Sequence, residues 1–288
     1  MFQSDLQLYA KAIQAHLSDA LAGPDDVPLF EAMRYSLEGG KCLRGYFVCA
    51  SAALFDIPLR QAIYPAMAIE AIHAYSLIHD DLPAMDDDAL RRGKPTVHKA
   101  WDEATAILAA DALQSVAFEW LTSDEFAVET DVKLALTQSM AKAAGEMVLG
   151  QMRDIAMETR EGASVTLSEI ERMQRGKTGA LIAWSCTAGA RLARQESAPL
   201  NQYAHALGLA FQIADDLLDV HGTRAMMGKE VGKDADANKG TFVALLGVEG
   251  AQKRAHALVQ EAQNAVSIYG PKAQSLHEAA EFIIARQK

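Results

Sequence analysis

Residues 66–88 read AMAIEAIHAYSLIHDDLPAMDDD, an almost unbroken apolar run that closes on five aspartates. The run lacks the strict alternation of a half-buried strand, so it reads as a core helix. Asp80 follows His73 by seven residues and Leu77 by three, which places all three on one face near the helix end. Pro83 disfavours helix at the residue before it and marks the stop.

Working outward, helix signals recur on both sides. Phe2, Leu6, Tyr9, Ile13, Leu17 and Leu21 repeat at three- and four-residue steps until Gly23-Pro24. Pro28 suits the first turn of a second helix that ends at Gly39-Gly40. Further helices are expected over residues 43–55, 58–79, 101–121, 132–158, 181–192, 200–220, 252–269 and 272–286. Ser168-Glu169-Ile170-Glu171 fits a capping box that opens one more short helix. No alternating strand stands out, so the expected class is all-α, a bundle of about ten or more mostly antiparallel helices. Without a linker, repeat or composition shift, residues 1–288 read as a single domain.

A second acidic cluster lies in FQIADDLLD, residues 211–219. There Gln212, Asp215, Asp216 and Asp219 stand at i, i+3, i+4 and i+7, one polar stripe on an apolar helix. A single Asp-Asp pair is most simply a solvated helix end or an N-cap. Two such pairs, each inside an apolar helix, need a cation, because crowded carboxylates repel and lose their charge when buried alone. Oxygen donors suit a hard divalent cation; Mg²⁺ typically takes one or two carboxylates plus water and substrate phosphate. Neither cluster has the spacing of an EF-hand.

Basic residues follow both clusters. Arg91-Arg92-Gly93-Lys94 succeeds the first, and Lys229, Lys233 and Lys239 succeed the second. Gly39-Gly40-Lys41-Cys42-Leu43-Arg44 opens a helix, and Gly176-Lys177-Thr178-Gly179 lacks the first glycine and the preceding strand of a P-loop. Glycine lets a backbone approach a phosphate, and arginine grips it with two donors. Together these point to a diphosphate site. The formal charge of −11, from 27 Lys+Arg against 38 Asp+Glu, argues against nucleic acid or an anionic membrane as partner. Three cysteines without CxxC spacing read as free thiols of a reducing compartment, and no signal peptide or spanning segment is visible, so a cytoplasmic location is expected.

These residues resemble the trans-isoprenyl diphosphate synthases, and within them the bacterial farnesyl diphosphate synthases. The likeness runs through GGKCLR (39–44), IHAYSLIHDDLPAMDDDALRRGKPTVH (72–98), GKTGAL (176–181), FQIADDLLDV (211–220) and KGTFVALLG (239–247). It implies the isoprenoid synthase fold, a helix bundle around a central cavity. It implies Mg²⁺, three ions with bound diphosphate and Mn²⁺ as an alternative, on Asp80, Asp81 and Asp86 and on Asp215, Asp216 and Asp219. Gly40, Lys41, Arg44, His73 and Arg92 correspond to the isopentenyl diphosphate site. Arg91, Lys177, Thr178, Gln212, Lys229 and Lys239 correspond to contacts with the allylic diphosphate. Asp80, Asp86, Arg91, Lys177, Asp215 and Lys229 are the expected catalytic set, and Arg286-Gln287-Lys288 resembles a closing tail.

The implied reaction is head-to-tail condensation of isopentenyl diphosphate with dimethylallyl and geranyl diphosphate to give a C15 product. Tyr75 and Ser76, about one turn below Asp80 on their helix, would set chain length, with Tyr75 as a floor. A geranylgeranyl or geranyl synthase is the nearest rival, ahead of a class I terpene cyclase and a non-catalytic subunit. A homodimer is expected from exposed apolar helix faces. The chain departs from the family at Cys42 and Gly45, usually Arg and Pro, at Phe242, usually Tyr, and at Gly240, usually a small serine or alanine.

Overall fold

The computed structural model describes residues 1–24, 27–159, 165–221 and 241–285. Among these are twelve α-helices, one π-helical turn, one 3₁₀ segment and one two-stranded hairpin, so the all-α expectation holds. No helix among the described residues is long and apolar enough to cross a membrane. The chain forms two compact units interleaved along it. It enters the second unit at Ser139, returns to the first over Ala188–Arg194, and leaves again at Gln195.

The first unit takes residues 3–138 and 188–194. It holds most of α1 (Phe2–Ala20), then α2 (Leu29–Leu37), α3 (Leu43–Leu54), α4 (Leu59–Asp80), α5 (Val97–Ala100), α6 (Glu103–Thr122) and the start of α7 (Thr130–Glu158). Helix α4 packs on α2, α3 and α6, burying Ile63, Ile69 and Ile72 in a core with Tyr46, Phe47 and Leu113. Asp102 caps α6 by accepting from the Thr105 amide at 2.7 Å. Between α4 and α5 a short hairpin pairs β1 (Leu90–Arg91) with β2 (Lys94–Pro95), Arg91 opposite Lys94. Arg92 (φ 54°) and Gly93 (φ 77°) form its turn, both left-handed as a two-residue type I′ connection requires. Strands of two residues carry no alternation, which is why the sequence shows no sign of them.

The second unit takes residues 1–2, 139–187 and 195 onward. It holds the rest of α7, α8 (Leu167–Gln174), a π-helical turn (Arg175–Gly179), most of α9 (Ala180–Leu192), α10 (Ala198–His221), α11 (Phe242–Val266), a 3₁₀ segment (Ser267–Ala273) and α12 (Gln274–Ala285). Helix α10 packs on α11, α12, α8 and the π-turn. The buried Tyr203 hydroxyl donates to the Leu276 carbonyl at 2.8 Å, and Phe2 packs on Phe282 with ring centroids 5.0 Å apart.

Two boundaries differ from expectation. The capping box of α8 is Thr166 with Glu169, so the helix opens two residues earlier than Ser168 implied. Helix α11 begins at Phe242 instead of residue 252, capped by Thr241 and kinked at Gly247 (φ 67°). A glycine-interrupted pattern hides one helix behind an apparent loop.

One close approach inside the first unit is set by a missing side chain. Gly189 donates its amide to Ser51 Oγ at 3.0 Å, and a Cβ there would fall 2.2 Å from the Ser51 carbonyl carbon. Gly189→Ala is therefore expected to destabilise the fold by about 2 kcal/mol through overpacking. Urea unfolding checks this; an unchanged midpoint would show that α9 has room to move.

Candidate active site

The first acidic cluster is built by a tight loop at the end of α4. Leu82 N donates to His79 O (3.2 Å), Asp87 N to Leu82 O (3.1 Å) and Asp86 N to Asp80 O (2.9 Å). The last bond folds Asp86 back onto Asp80, so residues six apart in sequence become neighbours. Both are half-buried. Asp81 turns the other way: it is buried, and Arg91 Nε lies 2.7 and 2.9 Å from its two oxygens. Arg91 also reaches Asp88 at 3.6 Å. Burial lifts the Asp81 carboxyl above the usual range, with Arg91 pulling against it.

Five residues expected at the isopentenyl diphosphate site, Gly40, Lys41, Arg44, His73 and Arg92, lie at or just before the start of α3, on α4 and on the hairpin. Gly39 (φ 70°) makes the turn, and Arg92 spans it to donate to the Glu38 carbonyl at 3.1 Å. Gly40 lies under that guanidinium, where a Cβ would stand 2.9 Å from Arg92 Nη1. Lys41 is exposed, and Arg44 is half-buried in the first turn of α3. Burial, then the charges of Arg44, Arg92 and Arg91, hold the His73 imidazole well below the ordinary histidine range. His73 is thus a neutral hydrogen-bonding group beside guanidinium charge. Cys42, left-handed at φ 47°, has its thiol pushed up to about 12 by burial and by Glu70.

Below Asp80, Tyr75 is buried and packs edge-on against His79 with centroids 5.3 Å apart. Burial, with the charges of Asp80 and Asp111, raises its phenol and keeps it protonated. Ser76 spends its hydroxyl on the His73 carbonyl at 2.8 Å.

The second unit carries the other half of the predicted residues. On α10, Asp215 and Asp219 share one half-buried face at i, i+4 spacing. Asp216 is buried and accepts from Gln212 Nε2 at 3.0 Å and from the Phe242 amide at 2.9 Å. Thr178 Oγ1 lies 3.4 Å from Gln212 Oε1 and 3.3 Å from Gln174 Oε1. A network therefore runs from Thr178 through Gln212 to Asp216 and the start of α11. Lys177 and Thr178 sit in the π-turn, a distortion common at functional sites. Two glycines seat that turn on α7: a Cβ at Gly150 would fall 2.0 Å from the Lys177 amide nitrogen, and one at Gly176 2.8 Å from the Glu146 carbonyl.

Lys177 Nζ pairs with Asp154 Oδ2 at 2.5 Å. Asp154 is a site residue the sequence reading missed. The available signal was Gly150 inside a 29-residue helix, with Asp154 four residues on and so on the same face.

Lys229, Lys239 and the tail Arg286-Gln287-Lys288 lie outside the described residues. Among the described residues no group of three or more His, Cys, Asp or Glu stands ready to hold a metal alone. The donor set nevertheless fits a hard cation. Asp80 and Asp86, joined through their backbones, offer two half-buried carboxylates, about the number Mg²⁺ takes before water and phosphate complete its shell.

Comparison with known proteins fits this picture. A family model described as polyprenyl synthetase matches residues 27–278. The farnesyl diphosphate synthase of Haemophilus influenzae is 46% identical over 99% of each chain. The farnesyl diphosphate synthase of Escherichia coli is 42% identical over 91% of each. A crystal structure of an FPP/GFPP synthase from Zymomonas mobilis superposes with a TM-score of 0.90, at 43% identity and 98% coverage of both chains.

The depressed His73 pKa has a measurable sign. Its folded value lies below the unfolded value of 6.5, so its contribution to stability is complete above about pH 6.5 and is lost as pH falls below it. An NMR titration is expected to place the His73 midpoint well below 6.5, and His73→Gln should remove that share of the acid destabilisation. A midpoint at or above 6.5 would contradict the guanidinium-rich setting.

Proposed function

The chain belongs to the polyprenyl synthetase family, and from that premise we propose that it is a (2E,6E)-farnesyl diphosphate synthase. It condenses isopentenyl diphosphate with dimethylallyl and then geranyl diphosphate, joining them head to tail. The observation that most supports this reading is the closure of Asp86 onto Asp80 at the mouth of a helix whose deeper face carries Tyr75. We assign the metal ligands to Asp80 and Asp86, and to Asp215 with Asp219. The inner aspartates, Asp81 and Asp216, hold Arg91 and Gln212 in place. Mg²⁺ bound there, three ions in the full complex, supplies the Lewis-acid charge that lets a diphosphate depart.

The chain's own groups do the rest. By the resemblance, we assign the allylic diphosphate to Arg91, Lys177, Thr178, Gln212, Lys229 and Lys239. Fixed cations of this kind stabilise charge that develops on the leaving group without having to reorganise. Gly40, Lys41, Arg44, His73 and Arg92 hold isopentenyl diphosphate, with His73 contributing a neutral imidazole. Apolar helix walls keep water from the allylic cation. The proton lost after coupling goes to the departing pyrophosphate, so no protein base is required.

Tyr75 closes the path of the growing tail and limits it to C15. We read the two compact units as one family domain, because a single family model spans both. We also propose a homodimer, formed through Leu108 of α6 and Leu134 of α7, which are 59% and 64% exposed. Light scattering that returns the mass of one chain would remove that assignment. Three buried free cysteines suit a reducing, cytoplasmic setting.

Incubation with Mg²⁺, isopentenyl diphosphate and each allylic primer, followed by chromatography, tests the reading. A C15 product is expected, lost with EDTA and restored by Mg²⁺. Tyr75→Ala is expected to shift the main product to C20 or longer. No product from any primer would sink the enzyme assignment, and an unchanged chain length would remove Tyr75 as the floor.

A further inference from the structure

One buried charge has no part in the chemistry so far. Glu70 lies in the middle of α4, one helical turn before His73 on the same face, and is only 7% exposed. Its carboxylate crosses to α3. Oε1 accepts from the Gly45 amide at 2.8 Å, and the backbone N–H of Arg44 also donates to it. These are amides in the first turn of α3, which no side chain of its own N-cap residue, Cys42, satisfies. The positive end of α3, where an anionic ligand would otherwise be drawn, thus already holds a protein carboxylate.

The surroundings make that carboxylate an electrostatic anchor. Burial sets the net direction and lifts the Glu70 carboxyl above the usual range, with the Gly45 amide and the charges of Arg44 and Arg92 pulling against it. The same two arginines act on His73. Guanidinium groups held this close repel, and a buried counter-charge lowers the cost of keeping them together before a ligand arrives. Cys42 cannot supply that charge, because its thiol stays neutral and is contacted by Gln14 Nε2 at 3.2 Å. Fit matters here as well: Cβ on Gly45 would meet Ile13 Cδ1 at 2.6 Å and Glu70 Cγ at 3.4 Å, so the α3–α4 contact leaves little space.

We propose that Glu70 is a positioning residue for the isopentenyl diphosphate site, fixing the first turn of α3 against α4 so that Arg44 and Arg92 converge with His73 on the incoming diphosphate. This rests on the functional reading above and adds a residue that touches neither substrate nor metal.

The test is steady-state kinetics of the Mg²⁺-loaded enzyme with each substrate varied in turn. Glu70→Gln is expected to raise KM for isopentenyl diphosphate about tenfold, a typical cost for losing a charged hydrogen-bond acceptor. KM for geranyl diphosphate should change by less than about twofold, on the same additivity grounds that separate distant sites. Because Glu70→Asp keeps the charge on a shorter arm, it should raise the same KM by a smaller factor, and it also carries the test if Glu70→Gln does not fold. Equal losses for both substrates, or no selective rise in either variant, would overturn the proposal. A wild-type enzyme that forms no product would overturn the functional reading instead.

Discussion

Carboxylates crowded at the end of an apolar helix repel one another, and the structure answers this by sorting each aspartate pair. In the first motif Asp81 turns inward onto Arg91, and in the second Asp216 turns inward onto Gln212 and the Phe242 amide. Each inner carboxylate has protein donors of its own, so its burial costs far less than it would unpaired. The outer ones, Asp80 with Asp86 and Asp215 with Asp219, stay half-buried on faces that a cation can reach. A motif that reads as a uniform block of charge is therefore two devices, one that aims neighbouring donors and one suited to metal.

Close backbone approach does comparable work for the basic residues. The π-turn that presents Lys177 and Thr178 rests on α7 through Gly150 and Gly176, with no room for a Cβ at either contact. Arg92 is carried by a turn whose two residues both need positive φ, and Gly93 takes one of those positions without strain. Long basic side chains are flexible; seating them on rigid, glycine-dependent backbone limits how far they stray from one geometry.

Much of this was legible in the sequence. The residue spacing around Asp80 and within residues 211–219 gave the helices, their faces and the acidic stripes, because helix period and charge pattern are local properties. What stayed hidden depends on contacts distant in sequence or on single dihedral angles. Asp154 acquires its meaning only from Lys177, 23 residues away. The start of α11 was masked by Gly247 and Gly250, and the α8 cap was misplaced because Thr166 and Ser168 both precede acidic residues at permitted spacing. The inner or outer role of an aspartate likewise depends on a partner, such as the hairpin arginine, that periodicity cannot supply.

The same reasoning changes how the net charge of −11 bears on function. Eight of the 38 acidic residues lie in the two aspartate motifs, and without them the 27 basic residues face only 30 acids. Burial first, then the charges of Arg44, Arg92 and Arg91, keep the His73 imidazole neutral, and those three guanidinium groups concentrate positive charge there although the whole chain is acidic. Over a few ångströms, in a partly buried site, nearby charges outweigh distant ones that solvent and salt screen. Net charge therefore argues against a long polyanion, which must lie against an extended surface, but leaves room for a diphosphate, which needs only one small basic site. The role proposed for Glu70 extends that logic: a single buried anion beside the cations would offset their mutual repulsion before a diphosphate arrives.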